Sequence, residues 1–193
     1  WLNMPRVTTE EWEKITRPLL DIADPKPAVS AADWLYSSGN YDAALDLYAN
    51  ITLAYAGSEA EKPAFEMMGE ILTEFKDFDN AFECYKNAFL QSNKTDKYEV
   101  ADGLKNLCIA GEDLGEDMQE YYARITRLAD ELPTDKRCML YLSFSAAMRK
   151  RRNYANEYRW IEDIVGTEDC PEEILSAAVN RLSEMNMYLD YSG

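Results

Sequence analysis

The chain has 193 residues, with 36 acidic against 20 basic side chains and a formal charge of −16; such a field repels phosphate backbones and anionic membrane surfaces, which argues against nucleic acid and membranes as partners. Hydrophobic residues at 47% and charged residues at 29% are the balance of one folded domain or one array of repeats, not of a disordered chain. With no histidine, imidazole-based zinc sites and histidine-dependent triads are excluded, and no apolar run approaches the roughly 20 residues that span a bilayer.

Only 8 Gly and 7 Pro punctuate the sequence, so helices joined by short turns are expected. Trp1 in place of Met fits a chain cut from a longer precursor or multidomain protein. Thr8 and Thr9 followed by Glu10 and Glu11 read as a capped, acidic helix start. That helix is expected to reach about Ala23, kinked or split by Pro18 and stopped by Pro25 and Pro27. Next come helices over Ala28–Ser38 and Tyr41–Tyr55, separated at Gly39 and Asn40. A third runs from near Ser58 to Phe75, with Pro63 tolerated in its first turn, and a fourth spans Phe78–Gln91. Thr95–Ala110 and Glu116–Leu132 form another pair around an acidic loop, residues 111–117. Thr134–Lys150 and Tyr154–Val165 follow, and a last helix runs from the Cys170-Pro171 start to about Leu189. Apolar residues recur at three and four, not at two, so the fold class is all-α.

An internal repeat runs through these elements. Residues 39–48, GNYDAALDLY, match residues 76–85, KDFDNAFECY, in turn, polar residue, aromatic, acid, alanine and aromatic. The alanines Ala44 and Ala81 stand 37 residues apart, a weaker echo covers 116–122, and 152–158 repeats the opening of the pattern. The pattern resembles the tetratricopeptide family. The resemblance implies a right-handed α-α superhelix, a solenoid of about four helix pairs over residues 25–166. Residues 1–24 then form an N-terminal helix and linker, and 167–193 a C-terminal capping helix. It further implies close helix contacts at the small residues Ala32 and Ala44, then Gly69 and Ala81, with Tyr41 and Phe78 filling the gap beside the turn and Tyr48 and Tyr85 following. Its third unit departs from the pattern, with Gly115 for the turn aromatic and Met118 for the small residue. The fourth keeps Ser145 and Tyr154 but has Glu157 where a small side chain belongs. An irregular helical bundle without true repeats is the competing architecture.

In the last helix Leu175, Ala178, Val179, Leu182, Met185 and Leu189 share one face. This face is expected to pack on the preceding pair and end the stack; in a stack that continues, Met187 or Tyr188 would meet a further helix. Tyr121 and Tyr122 are adjacent and cannot point the same way.

No Walker, dinucleotide-binding or nucleophile-elbow motif occurs, and the acidic loop lacks the ligand alternation of a calcium site. Catalysis and cofactors are therefore not expected. Cys84, Cys108, Cys138 and Cys170 stand singly, which fits reduced, packed thiols in a cytoplasmic setting. The expected role is a scaffold-like protein-binding module. Carried across from the family, the groove lining comprises Asp33 and Tyr36 with Val29, then Glu66, Glu70 and Glu74 with Thr73, then Leu142 and Arg149 with Ala146. The resulting acidic end suits a basic or amphipathic peptide or partner helix. Glutamates at four-residue spacing describe a solvated helix face equally well. The run Arg149–Arg152 reads first as a complement to a helix C-terminus and to acidic neighbours, and second as a docking patch. The alternatives in function are a regulatory or sensory domain of a larger protein taking a small ligand or peptide, and an enzyme with a carboxylate-based site.

Overall fold

Amphipathic periodicity and a scarcity of helix breakers build helices throughout. The computed structural model describes residues 9–93 and 96–191, without the side chains of 9, 10, 12 and 187–191. Among the described residues there are ten helices and no strand: α1 (Thr9–Leu20), α2 (Lys26–Ser37), α3 (Tyr41–Ala54), α4 (Glu61–Glu74), α5 (Phe78–Gln91), α6 (Asp96–Asp113), α7 (Gln119–Ala129), α8 (Thr134–Lys150), α9 (Tyr154–Val165) and α10 (Glu172–Tyr191). They fall into two units, residues 1–92 and 93–193.

In the first unit α3 packs on α2 and α4, α4 on α5, and α1 against α2 and α3. Pro18 does not split α1, which instead ends two residues later, at Leu20 and short of Ala23. There the Tyr55 hydroxyl lies 2.9 Å from the carbonyl oxygens of both Leu19 and Ile22, taking up acceptors that a helix end leaves unpaired. The expected close contacts are present. Ala32, Ala44 and Ala81 are fully buried, and a Cβ on Gly69 would stand 2.8 Å from the Tyr85 ring. Gly69→Val is therefore expected to cost about 1–3 kcal/mol through overpacking, read as a lower urea midpoint with unchanged slope. The turn aromatics behave differently from expectation: Tyr41 is 42% exposed and Tyr154 54% exposed. Each is the first residue of its helix.

The repeat is visible in the backbone. At Gly39, Lys76, Gly115 and Arg152 the chain turns through positive φ, at 79°, 64°, 84° and 59°. In each turn the following amide donates to the carbonyl five residues earlier: Asn40 to Leu35, Asp77 to Leu72, Glu116 to Gly111 and Asn153 to Met148, all at 2.9–3.0 Å. This is a helix stop of the Schellman type, which closes the last carbonyls of one helix while starting the next. Two of the four turn residues carry side chains. The hydrogen bonds hold Lys76 and Arg152 in a conformation that favours glycine. Asp77 and Asn153 then cap the next helix, their side chains accepting from Asn80 and Asn156 amides.

In the second unit α9 lies between α8 and α10, and α6 contacts α7 and α8. Helix α6 continues to Asp113, past the expected end at Ala110, because Gly111 serves as a contact residue and not as a stop. A Cβ there would collide with Met118, which is 2% exposed. A glycine on one helix thus accommodates the large residue that replaces a small one on the other. Helix α7 accordingly starts at Gln119, whose amide donates to the Asp117 carboxylate at 3.0 Å. Tyr122 is buried and Tyr121 half-buried, as adjacent residues on a helix must differ. Helix α10 buries Ala178 and Met185 against the preceding helices and half-buries Leu175 and Leu182, whereas Val179 is 43% exposed. The side chains of Met187, Tyr188 and Leu189 lie outside the described residues.

Candidate functional site

Helices α2 and α4, the first members of two successive pairs, bring together five of the residues expected in the groove. From α2 come Asp33 and Tyr36; from α4 come Glu66, Glu70 and Glu74. The Tyr36 hydroxyl donates to Glu70 Oε1 at 2.5 Å, joining the helices through residues 34 apart. The hydrogen bond to Glu70, then burial, pushes the Tyr36 hydroxyl up to about 12, so it stays a neutral donor near neutral pH. From α3, Tyr48 donates to Asp33 Oδ1 at 2.6 Å. Its hydroxyl is raised still further, by burial first and by that hydrogen bond second. Tyr85, beneath Gly69, is pushed up to about 12 by burial and, next, by the charge of Glu70. Phenols thus orient two of the carboxylates without neutralising them. Lys62 pairs with Glu66 at 3.3 Å one helical turn away, a partly exposed contact of small energy.

An aromatic strip borders this acidic face. Tyr36 meets Tyr41 edge-on at 5.4 Å, and Tyr41 meets Phe75 at 6.4 Å and 81°. Phe75 is 44% exposed. Sequence reasoning placed Tyr41 in the helix gap and assigned Phe75 no role. The available signal was that both flank the turns, where side chains reach the surface. Cationic groups are attracted both to carboxylates and to the faces of exposed rings, so the surface is chemically suited to lysine or arginine side chains.

Val29 and Thr73 of the same unit are half-buried, and the other three groove residues, Leu142, Ala146 and Arg149, belong to the second unit. Leu142 is half-buried on α8. Arg149, at the C-terminal end of α8, donates from Nε to Glu157 Oε1 at 2.8 Å. Glu157 is the acid that stands where the repeat calls for a small residue, and its side chain is fully buried. Arg181 of α10 holds it too, with Nε 2.7 Å from Oε1 and Nη2 3.1 Å from Oε2. Burial alone would raise the Glu157 carboxyl; the hydrogen bonds and charges of Arg181 and Arg149 outweigh it and hold the group below its usual range. Arg151 makes a bidentate pair with Asp113, at 2.9 and 2.7 Å. Two cations of the 149–152 run therefore neutralise acidic neighbours.

The acidic loop borders a polar cleft of about 510 Å³ between the C-terminal end of α6 and the start of α9. A chain of contacts lines it: Asn156 donates to Glu112 at 3.3 Å, Gln119 to Asn156 at 3.2 Å, and Arg159 to Gln119 at 3.2 Å. Among the described residues no group of three or more Cys, Asp or Glu side chains is arranged to hold a metal ion, and no helix is long and apolar enough to cross a membrane.

No family model matches the chain, and no curated protein matches it.

Proposed function

We propose that the chain is a tetratricopeptide-like interaction module, built as a right-handed superhelix of helix pairs, which binds a basic or amphipathic peptide segment of a partner protein on the α2–α4 face. The observation that carries this reading is the juxtaposition of Asp33, Glu66, Glu70 and Glu74 with the Tyr36–Tyr41–Phe75 strip, set in place by the Tyr36–Glu70 hydrogen bond. Four recurring turns and small residues at the helix contacts support the repeat assignment. The proposed role is binding without catalysis. Charge complementarity would speed encounter and select against acidic segments, while the rings contribute desolvated contact area.

The test is fluorescence anisotropy with a labelled amphipathic lysine- and arginine-rich helix, beside a glutamate-rich control of equal length. Wild type is expected to bind the basic peptide, more weakly as salt rises, and to ignore the acidic one. The triple variant E66K/E70K/E74K, checked for helicity, is expected to lose at least about tenfold in affinity, equivalent to about 1.4 kcal/mol. Equal binding by the folded variant would remove this face from the proposal. A second reading, a regulatory domain taking a small polar ligand, draws on the 510 Å³ cleft of the second unit, whose size suits such ligands. It gains ground if the basic peptide fails to bind and a small-molecule thermal-shift screen finds a ligand whose effect R151A abolishes.

A further inference from the structure

Tyr36 sits in the last turn of α2, Tyr41 opens α3, and Phe75 is the residue that follows α4. Two turns of the repeat, residues 38–40 and 76–77, thus bring three rings to one place. Tyr41 stands between the others, 5.4 Å from Tyr36 at 61° and 6.4 Å from Phe75 at 81°. Rings turned so steeply against one another form corners instead of a stack, and much of their surface stays open. Tyr41 is 42% exposed and Phe75 44%. The surrounding charge favours a cation. Helices α2 and α4 both end here, which places the negative ends of two helix dipoles beside the rings. Asp42, in the first turn of α3, offsets the positive end of that helix. Glu70 accepts from the Tyr36 hydroxyl at 2.5 Å, and a phenol that donates to a carboxylate has a more electron-rich ring. Lys62 is already paired with Glu66, and Lys76, next to Phe75, is one charge against Asp33, Glu66, Glu70 and Glu74.

We propose that the corner formed by Tyr36, Tyr41 and Phe75, with Glu70 at its edge, is a cage for a trimethylated lysine carried by the partner peptide. The inference rests on the α2–α4 face being a peptide-binding surface, and it names the side chain that anchors there. The chemistry separates a methylated lysine from a plain one. An ordinary ammonium is compact, strongly hydrated and carries three N–H donors, which ring faces cannot satisfy. A trimethylammonium has no N–H to leave unpaired, and its charge is spread over three methyl groups. It therefore gives up little hydration on meeting the negative faces of the rings, while Glu70 supplies the compensating charge. A lipid choline headgroup carries the same cation but fits poorly. Its phosphate would lie close to Glu66, Glu70 and Glu74, on a chain whose formal charge is −16.

The experiment uses the full chain and the labelled lysine- and arginine-rich helix, read by fluorescence anisotropy. Each lysine of the peptide is presented in turn as lysine, as trimethyllysine, and as the uncharged isostere with a quaternary carbon in place of nitrogen. At one position trimethylation should tighten binding by about fivefold, and the carbon isostere should not. In Y41A/F75A, checked for helicity, the trimethyllysine-to-lysine ratio should fall to about one. Y41L/F75L, which keeps apolar bulk without a ring, takes its place should that variant fail to fold. Unmodified peptide that binds, with no position at which trimethylation helps, overturns the cage and leaves the peptide-binding face standing. An isostere as tight as trimethyllysine, or a gain that survives in the folded double variant, overturns it too. If no peptide binds in any form, the cage and the binding face fall together.

Discussion

Trp160→Ala is expected to remove about 3–5 kcal/mol from the stability of the second unit, among the largest effects open to one substitution. Trp160 is 1% exposed and stacks on Phe144 with centroids 4.3 Å apart and planes 10° from parallel. Tyr122 packs edge-on against it at 5.5 Å, and Tyr141 lies tilted at 5.4 Å. Three rings from α7 and α8 thus meet at the one indole of α9. Alanine would leave a void that three rigid rings cannot collapse into, so both the transfer energy and the dispersion contacts are lost. Trp160→Phe keeps most of the stacking and should cost clearly less. Urea unfolding followed by far-ultraviolet circular dichroism gives the comparison. A loss below about 1 kcal/mol for the alanine variant would mean that this cluster does not organise the unit.

The double variant R149A/R181A should be comparably damaging, by about 3–5 kcal/mol, because it strands the fully buried Glu157 carboxylate. Adding Glu157→Ala should recover much of that loss, since the cost is an unpaired buried charge and not a missing contact. Each arginine alone should cost less, as the other still pairs with the acid. A triple variant no more stable than the double would show that arginine packing, and not charge pairing, matters here.

The same group predicts a pH dependence. Its carboxyl is lowered in the folded state from an ordinary value of 4.5. The associated stability is therefore fully present above about pH 4.5 and is lost as pH falls through the depressed folded value. Wild type should lose stability across that acidic window more steeply than Glu157→Gln, which has no proton to bind. Parallel profiles for the two proteins would exclude Glu157 as the source.

Much of the fold was legible because helix periodicity and turn chemistry act locally. The limits of α5, α8 and α9 coincide with those expected, since proline, asparagine or aspartate sits at each start and a turn residue follows each end. Turn position was legible at Lys76 and Arg152 even without glycine, because the repeat marks it. Less legible were features that depend on a partner distant in sequence. The α6–α7 loop was expected to begin at Gly111, yet that glycine is helical, because Met118 needs the space its missing Cβ leaves. At the candidate site, Asp33, Glu66, Glu70 and Glu74 were named from the groove positions that the family resemblance implies, and the three glutamates also stand at four-residue spacing. That spacing could not tell a binding face from a solvated one, and the Tyr36–Glu70 and Tyr48–Asp33 bonds that join separate helices were invisible to it.

Taken alone, the sequence determined the all-helical class, the order and approximate length of the helices, and the recurring turn, all of which follow from interactions within about five residues. Only the tertiary structure decided that Glu157 is a buried, doubly paired acid, that Arg149 is bound within the fold, and that Phe75 joins an exposed aromatic strip. Each depends on atoms brought together by packing across 8 to 34 residues. Periodicity marks which side of a helix is covered; the charge, ring or thiol that covers it is set by how the helices close on one another.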